Sequence, residues 1–130
     1  MKIRLLRSRL AVALIPVALF VNAAQSANVS GKAFIDRKSI TIGDDLRYKL
    51  TIDFPAGYAY TSPDFQSVFS NFEIRDQKAV KSKKYAEYKL TLTAYTTGEV
   101  KINPFEMEFT SPAGEKEKIG QPEIPVTVKF

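Results

Sequence analysis

The sequence has no cysteine, no histidine and no tryptophan among its 130 residues. Without cysteine and histidine, the chain cannot build a thiol redox centre, a Ser-His-Asp or Cys-His nucleophilic site, or a zinc or copper site with histidine ligands. Disulfides are excluded too, so an exported form must hold together by its hydrophobic core alone. Gly-rich phosphate-binding loops and dinucleotide-binding fingerprints are also missing. We therefore expect a protein that is not an enzyme and that uses no cofactor or metal.

One concentrated pair of acids remains for catalysis, Asp44-Asp45. Such a pair could serve a carboxylate-dependent hydrolase or, with Asp36, a weak Ca²⁺ site. However, adjacent aspartates beside a glycine, here Gly43, are far more often turn formers that bond their own backbone. The turn is therefore the favoured interpretation.

The first nine residues carry four basic side chains and no acid, and the apolar run Leu10–Val21 follows them. This order is typical of a secretory signal peptide, and the run is shorter than the roughly 20 residues that a membrane-spanning helix needs. We predict a signal peptide at residues 1–26. Cleavage after Ala23 or Ala27 and an uncleaved anchor are the alternatives.

Removal of the predicted signal leaves 15 basic residues against 14 acidic ones. The sequence pI of 9.4 is therefore largely a property of the signal segment, and no nucleic-acid partner is implied. Residues 27–130 have the size of one domain. We expect a periplasmic or secreted protein with no stable membrane insertion after signal cleavage.

Several segments alternate apolar and polar residues, which is the pattern of half-buried strands. The cleanest is Leu46–Phe54, whose even-numbered residues are predicted to face the core. Tyr85–Phe109 is predicted as a long hairpin that turns at Thr96–Glu99, with a bulge or bend at Asn103-Pro104, where the parity of the apolar residues changes. Ile124–Phe130 is predicted as the last strand.

Other segments are less regular. Residues 28–42 predict a first strand in two pieces, with a turn or a change of sheet at Asp36–Lys38. A strand that begins at Phe72 fades into the polar run 76–84, which is most simply the solvated tip of a hairpin. Ser111–Gly114 fits a type I turn followed by a bulge.

The loop at residues 55–71 contains one predicted helical turn, with Ser62 as N-cap and Pro63 at the first helical position. Strands recur about seven times, and no helix is long enough to cover a sheet face. The sequence therefore predicts an all-β fold, an immunoglobulin-like β-sandwich of about seven antiparallel strands with one short helical turn in the long loop, formed by residues 27–130.

The same loop carries the candidate binding residues Tyr58, Tyr60 and Phe65, because loops at one end of a sandwich often bind partners. The two tyrosines either fold back over the edge of the core or form an exposed contact surface, whereas Phe65 fits the core better. A protein partner in the cell envelope is favoured, and a glycan or small ligand stacked on the tyrosines is the alternative. If the last strand lies at an edge, a partner could add a strand there.

The chain resembles the BatD, or oxygen-tolerance, family, whose exported regions are built of immunoglobulin-like modules. Five segments carry the resemblance, and these are Ser39–Leu46, Phe72–Ile74, Tyr88–Leu92, Thr97–Phe105 and Pro125–Val128. They are mostly turn and core positions.

The resemblance implies a non-catalytic envelope module that works by protein–protein interaction, near complexes of von Willebrand-type and MoxR-type ATPase partners. It transfers no catalytic residues. Family modules often have a proline shortly after the Tyr-x-Leu strand, where this chain has Thr93-Ala94-Tyr95. The larger family members also have several modules and a following membrane segment, whereas this sequence shows one module.

Overall fold

The computed structural model describes residues 24–25 and 28–130. In these residues the chain forms eleven strands and one short helix. They are β1 Ala24–Gln25, β2 Ser30–Ile35, β3 Ser39–Thr41, β4 Leu46–Asp53, β5 Ala59–Tyr60, α1 Phe65–Val68, β6 Glu73–Lys81, β7 Tyr85–Thr93, β8 Gly98–Ile102, β9 Phe105–Thr110, β10 Lys116–Gln121 and β11 Ile124–Lys129. Apart from β1, the predicted signal peptide lies outside the described residues.

The strands form three sheets. A five-stranded sheet has the order β1-β2-β4-β7-β6, and two three-stranded sheets have the orders β3-β11-β8 and β10-β9-β5. The pair β3–β11 is parallel, and the other described pairs are antiparallel. The all-β, sandwich-like class is thus confirmed. The described strands outnumber the predicted seven partly because β1 and β5 have two residues each and are too short to show an alternation.

One hydrophobic core joins the three sheets. The even-numbered residues of β4 are buried and its odd-numbered residues are more exposed, as the alternation predicted. Met107 and Phe109 of β9 and Val126 and Val128 of β11 reach the same core. Because each fully buried large apolar side chain contributes about 1.5–3 kcal/mol, these alternating strands hold the sheets against one another.

The predicted hairpin around Thr96–Glu99 is wrong. Strand β7 pairs with β4 and β6, whereas β8 pairs with β11. The link therefore carries the chain from one sheet to another. The chain changes sheet again at Asn103-Pro104, between β8 and β9, so the change in parity marks a boundary between two strands. The hairpin in this region is β6–β7, joined by residues 82–84.

Two predicted turns are confirmed. Strands β2 and β3, on either side of Asp36–Lys38, lie in different sheets. In the β9–β10 connection Gly114 has φ 89°, a left-handed conformation that glycine adopts without strain. Its N–H donates to the Ser111 carbonyl at 2.9 Å, and the Ser111 N–H donates to the Glu115 carbonyl at 2.8 Å.

Two other predictions need correction. Helix α1 begins at Phe65 rather than at Pro63, and its N-cap residue is Asp64, not Ser62. The Asp64 carboxylate accepts a hydrogen bond from Ser67 Oγ at 2.8 Å. The last strand, β11, lies between β3 and β8, so it is not an edge to which a partner could add a strand.

Candidate interaction surface

Strand β6 is one edge of the five-stranded sheet. It pairs with β7 from Glu73 to Lys81, and no described strand lies on its other side. Eight of its nine residues are exposed, including Val80, at 59%. An edge of this length presents backbone N–H and C=O groups with which a strand of another chain can pair.

The register also aligns like charges across the outer face of this sheet. Phe34 lies opposite Lys49, Lys49 opposite Lys89, and Lys89 opposite Lys78. Like charges directly opposite each other destabilise a sheet. The row of three lysines, which we call the lysine row, is therefore not explained by the stability of the domain.

Two carboxylates lie beside the lysine row. Lys89 Nζ is 3.3 Å from Glu87 Oε2, and Lys78 Nζ is 3.9 Å from Asp76 Oδ2. A hydrogen bond from the Tyr85 hydroxyl, and then the Lys89 ammonium, lower the pKa of Glu87. Ion pairs with a solvent-exposed partner contribute little to stability, so these contacts offset the repulsion in the lysine row only in part.

A groove with a volume of about 420 Å³ runs beside β6 on this face. Its lining includes the lysine row, the exposed ring of Phe34, Arg47 and Asp76. Lys49 Nζ lies 5.9 Å from the centroid of the Phe34 ring. Strand β6 and this groove together form one continuous surface of backbone groups, charges and one aromatic ring, and we call it the β6 surface.

A β-bulge divides β6. The pairing register shifts between Ile74 and Asp76, so Arg75 is the extra residue. Its Nη2 donates to the Tyr95 hydroxyl at 2.9 Å, and its Nη1 lies 3.8 Å from Asp45 Oδ1. Bulges limit indiscriminate pairing at sheet edges. The regular part of the edge therefore begins at Asp76.

Tyr58 precedes β5 and is partly buried against the core. Its hydroxyl donates a hydrogen bond to Glu117 Oε2 at 2.9 Å, and this bond is the main cause that raises the pKa of Tyr58. The hydroxyl is thus already engaged within the domain.

Tyr60 lies in β5 and also packs on the core. The centroid of its ring is 5.1 Å from that of Phe54 and 5.1 Å from that of Phe109. Burial, followed by the neighbouring Tyr88, raises the pKa of Tyr60 to about 12. This geometry favours the interpretation that the tyrosines cover the edge of the core. Ligand binding by Tyr58 and Tyr60 stays a prediction.

Phe65 lies in α1 and is 5% exposed. The centroid of its ring is 5.2 Å from that of Tyr88 and 6.0 Å from that of Phe69. The structure therefore places Phe65 in the core, the position that the sequence favoured, and its ring is covered in this conformation. A contact between Phe65 and a partner stays untested.

The Asp44-Asp45 pair belongs to the turn around Gly43, as the favoured interpretation predicted. Gly43 has φ 85°, the Thr41 N–H donates to Asp44 Oδ2 at 3.0 Å, and the Thr93 hydroxyl donates to the Asp44 carbonyl at 2.9 Å. In the described part of the chain, no group of three or more His, Cys, Asp or Glu residues could hold a metal ion.

The sequence interpretation missed the β6 surface, because it assigned Lys78 and Lys81 to a hairpin tip. Both lysines lie in β6. A strand that is exposed on both faces shows no alternation, so periodicity could not find it. Length is the signal that could have found it, since the polar run is too long for a tight turn before Tyr85.

Among residues 24–25 and 28–130, no helix has the length and hydropathy needed to cross a membrane. No curated protein matches the chain. A family model described as the BatD DUF11 like domain matches residues 33–128. That range runs from within β2 to within β11 and includes strands of all three sheets. The match spans most of the sequence, so the chain belongs to the BatD family.

Proposed function

We propose that this chain is a non-catalytic protein-interaction module of the cell envelope, and that it binds a protein partner by strand addition at β6. The observation that carries this proposal is the edge strand itself, which pairs on one side over nine residues and is exposed on both faces. Backbone hydrogen bonds would supply affinity, and side chains on either face of β6 would supply specificity.

The edges of the other described sheets are weaker candidates. Strand β8 is an edge of five residues, with Val100 and Ile102 buried, and β3 has three residues. In the third sheet, β10 is an edge of six residues, with Ile119 and Gln121 buried, and β5 has two residues. The β6 surface adds a groove and an exposed aromatic ring to a longer edge. These features make it the best surface of the domain for a protein partner.

An envelope location is supported by the basic and then apolar N-terminal segment, which is typical of exported proteins. Membership of the BatD family agrees with a binding role. The glycan alternative is less well supported, because a stacking platform needs an open ring face and both tyrosines are partly buried.

Site-specific photo-crosslinking tests this proposal. A photoreactive residue is placed at Val80 in β6, at Tyr58 in the aromatic loop and, as a matched control on another edge strand, at Lys101 in β8. Each full-length variant is irradiated in intact cells, and the adducts are identified by mass spectrometry. We expect a defined protein adduct from position 80 and none from position 101. Adducts from position 58 without any from position 80 would contradict strand addition at β6.

A further inference from the structure

The charged residues that flank Gln77 in β6 have opposite signs, so two antiparallel copies of the strand can place opposite charges next to each other. Asp76 precedes Gln77 and Lys78 follows it, and both side chains lie on the outer face of the sheet, opposite Thr91 and Lys89. A strand with this pattern fits a second copy of itself that runs antiparallel.

From this pattern we infer that the partner strand at β6 belongs to a second copy of this chain. The two β6 strands pair about a two-fold axis through Gln77, as expected for a symmetric dimer. This inference rests on the proposed strand addition at β6 and identifies the partner. The pairing of the two β6 strands joins two five-stranded sheets into one sheet of ten strands and covers both β6 edges.

The outer face supports this register. Asp76 lies opposite Thr91, and Lys78 lies opposite Lys89, so both point to the outer face. In the dimer, Lys78 of each copy lies opposite Asp76 of the other copy. The lysine row of each copy then ends on a carboxylate of the second copy, which relieves the like-charge alignment within the sheet.

The bulge fits the same register. With Gln77 opposite Gln77, the bulged Arg75 of one copy falls opposite Ala79 of the other, whose small side chain leaves room for an extra residue. The Arg75 guanidinium is held away from the junction by Tyr95 and Asp45. The interruption in the strand thus coincides with the smallest side chain of β6.

Neighbouring registers are worse. A shift of the axis to Lys78 places the two Lys78 ammonium groups opposite each other, which is repulsive. A shift to Ala79 places Lys78 opposite Val80 and loses the Asp76 pairing. Charge therefore selects the register about Gln77.

The test is the oligomeric state of the purified full-length chain and of charge variants, measured by sedimentation velocity over a range of protein concentrations. Asp76→Lys and Lys78→Asp each place like charges opposite each other twice in the dimer. We expect each to raise the dimer dissociation constant at least about tenfold. Lys32→Asp on β2, which is separated from β6 by β4 and β7, is the matched control and should leave the dimer unchanged.

Two combinations make the test specific. The double variant Asp76→Lys/Lys78→Asp restores both opposite-charge pairs, and an equimolar mixture of the two single variants forms them between unlike copies. We expect dimers in both samples. Circular dichroism checks that each variant is folded, and rescue in the mixture would itself show that the single variants are competent to pair.

A wild-type chain that is monomeric at all concentrations would overturn the inference. An unchanged dimer dissociation constant in both single variants would also overturn it. If the wild-type chain is monomeric while position 80 still crosslinks to another protein, strand addition at β6 stands and self-pairing fails. If position 80 gives no adduct of any kind, the proposed function fails with it.

Discussion

Strands β6 and β7 are partners in one hairpin, but the fold uses them in opposite ways. Strand β7 lies between two strands, and five of its nine residues are buried, including Leu90 and Leu92. Strand β6 has a neighbour on one side, and eight of its nine residues are exposed. Packing therefore fixes the side chains of β7, whereas those of β6 are available for contacts with another protein. Changes in β7 should alter stability, and changes in β6 should alter association.

The largest expected effect is in β7. Leu92→Ala removes a fully buried side chain and should lower the free energy of unfolding by about 2–5 kcal/mol, through lost burial and the cavity that remains. Val80→Ala in β6 is the matched substitution and should change it by less than about 0.5 kcal/mol. Urea denaturation measures both. Equal losses in the two variants would remove the contrast between the strands.

The aromatic loop is expected to resemble β7 rather than β6. Tyr60→Ala should lower the free energy of unfolding by about 1–3 kcal/mol, because the ring packs on Phe54 and Phe109. Tyr60→Phe keeps the ring and should cost less than about 1 kcal/mol. Thermal and urea denaturation of the two variants would show the difference. An undiminished stability of Tyr60→Ala would favour an exposed ligand platform.

At the end of β7, Thr93→Val tests a buried polar contact. The Thr93 hydroxyl is buried and donates to the Asp44 carbonyl at 2.9 Å, so its removal should cost about 1 kcal/mol. Thr91→Val is the control, because it makes the same substitution on the outer face of β7, away from the Asp44 carbonyl. A loss for Thr91→Val as large as that for Thr93→Val would rule out this hydrogen bond as the cause.

The smallest effect concerns Glu87, which lies on the outer face of β7. Its pKa is lowered in the folded state, first by the Tyr85 hydroxyl and then by Lys89. A carboxylate with a lowered folded pKa stabilises the protein above its unfolded pKa, and this contribution is lost as the pH falls through the folded value. Glu87→Gln should therefore lower stability more at pH 7 than at pH 3.

Tyr85→Phe removes the hydroxyl that is the main cause of the Glu87 shift. The pH dependence attributed to Glu87 should then shrink in urea-denaturation profiles measured from pH 3 to pH 7. A profile for Tyr85→Phe that matches the wild type would show that the hydroxyl does not set the pKa of Glu87.

The contrast between β6 and β7 also explains what the sequence could reveal. A strand with one buried face shows an alternation, so β4, β7 and β11 could be predicted, and Gly114 marked its turn. Alternation does not identify the neighbour of a strand. The chain turns between β7 and β8 at residues 96–97, but the two strands enter different sheets. The predicted hairpin at that position was wrong for this reason.

The candidate surface was harder to predict than the fold. Tyr58 and Tyr60 were prominent in the sequence because aromatic residues are unusual in loops, but the core accounts for both rings. The lysine row depends on three residues that are far apart in sequence and become neighbours only through the registers of β4, β6 and β7. No local pattern contains that information.

Hydrogen–deuterium exchange of the full chain, measured in its associated and dissociated states, tests most directly whether β6 is the binding edge. If β6 is the binding edge, amides in Glu73–Lys81 exchange more slowly in the associated state, since their outward N–H groups become hydrogen-bonded, while amides around Tyr58–Tyr60 exchange at unchanged rates. Slower exchange at Tyr58–Tyr60 with no change in β6 would show that β6 is not the binding edge.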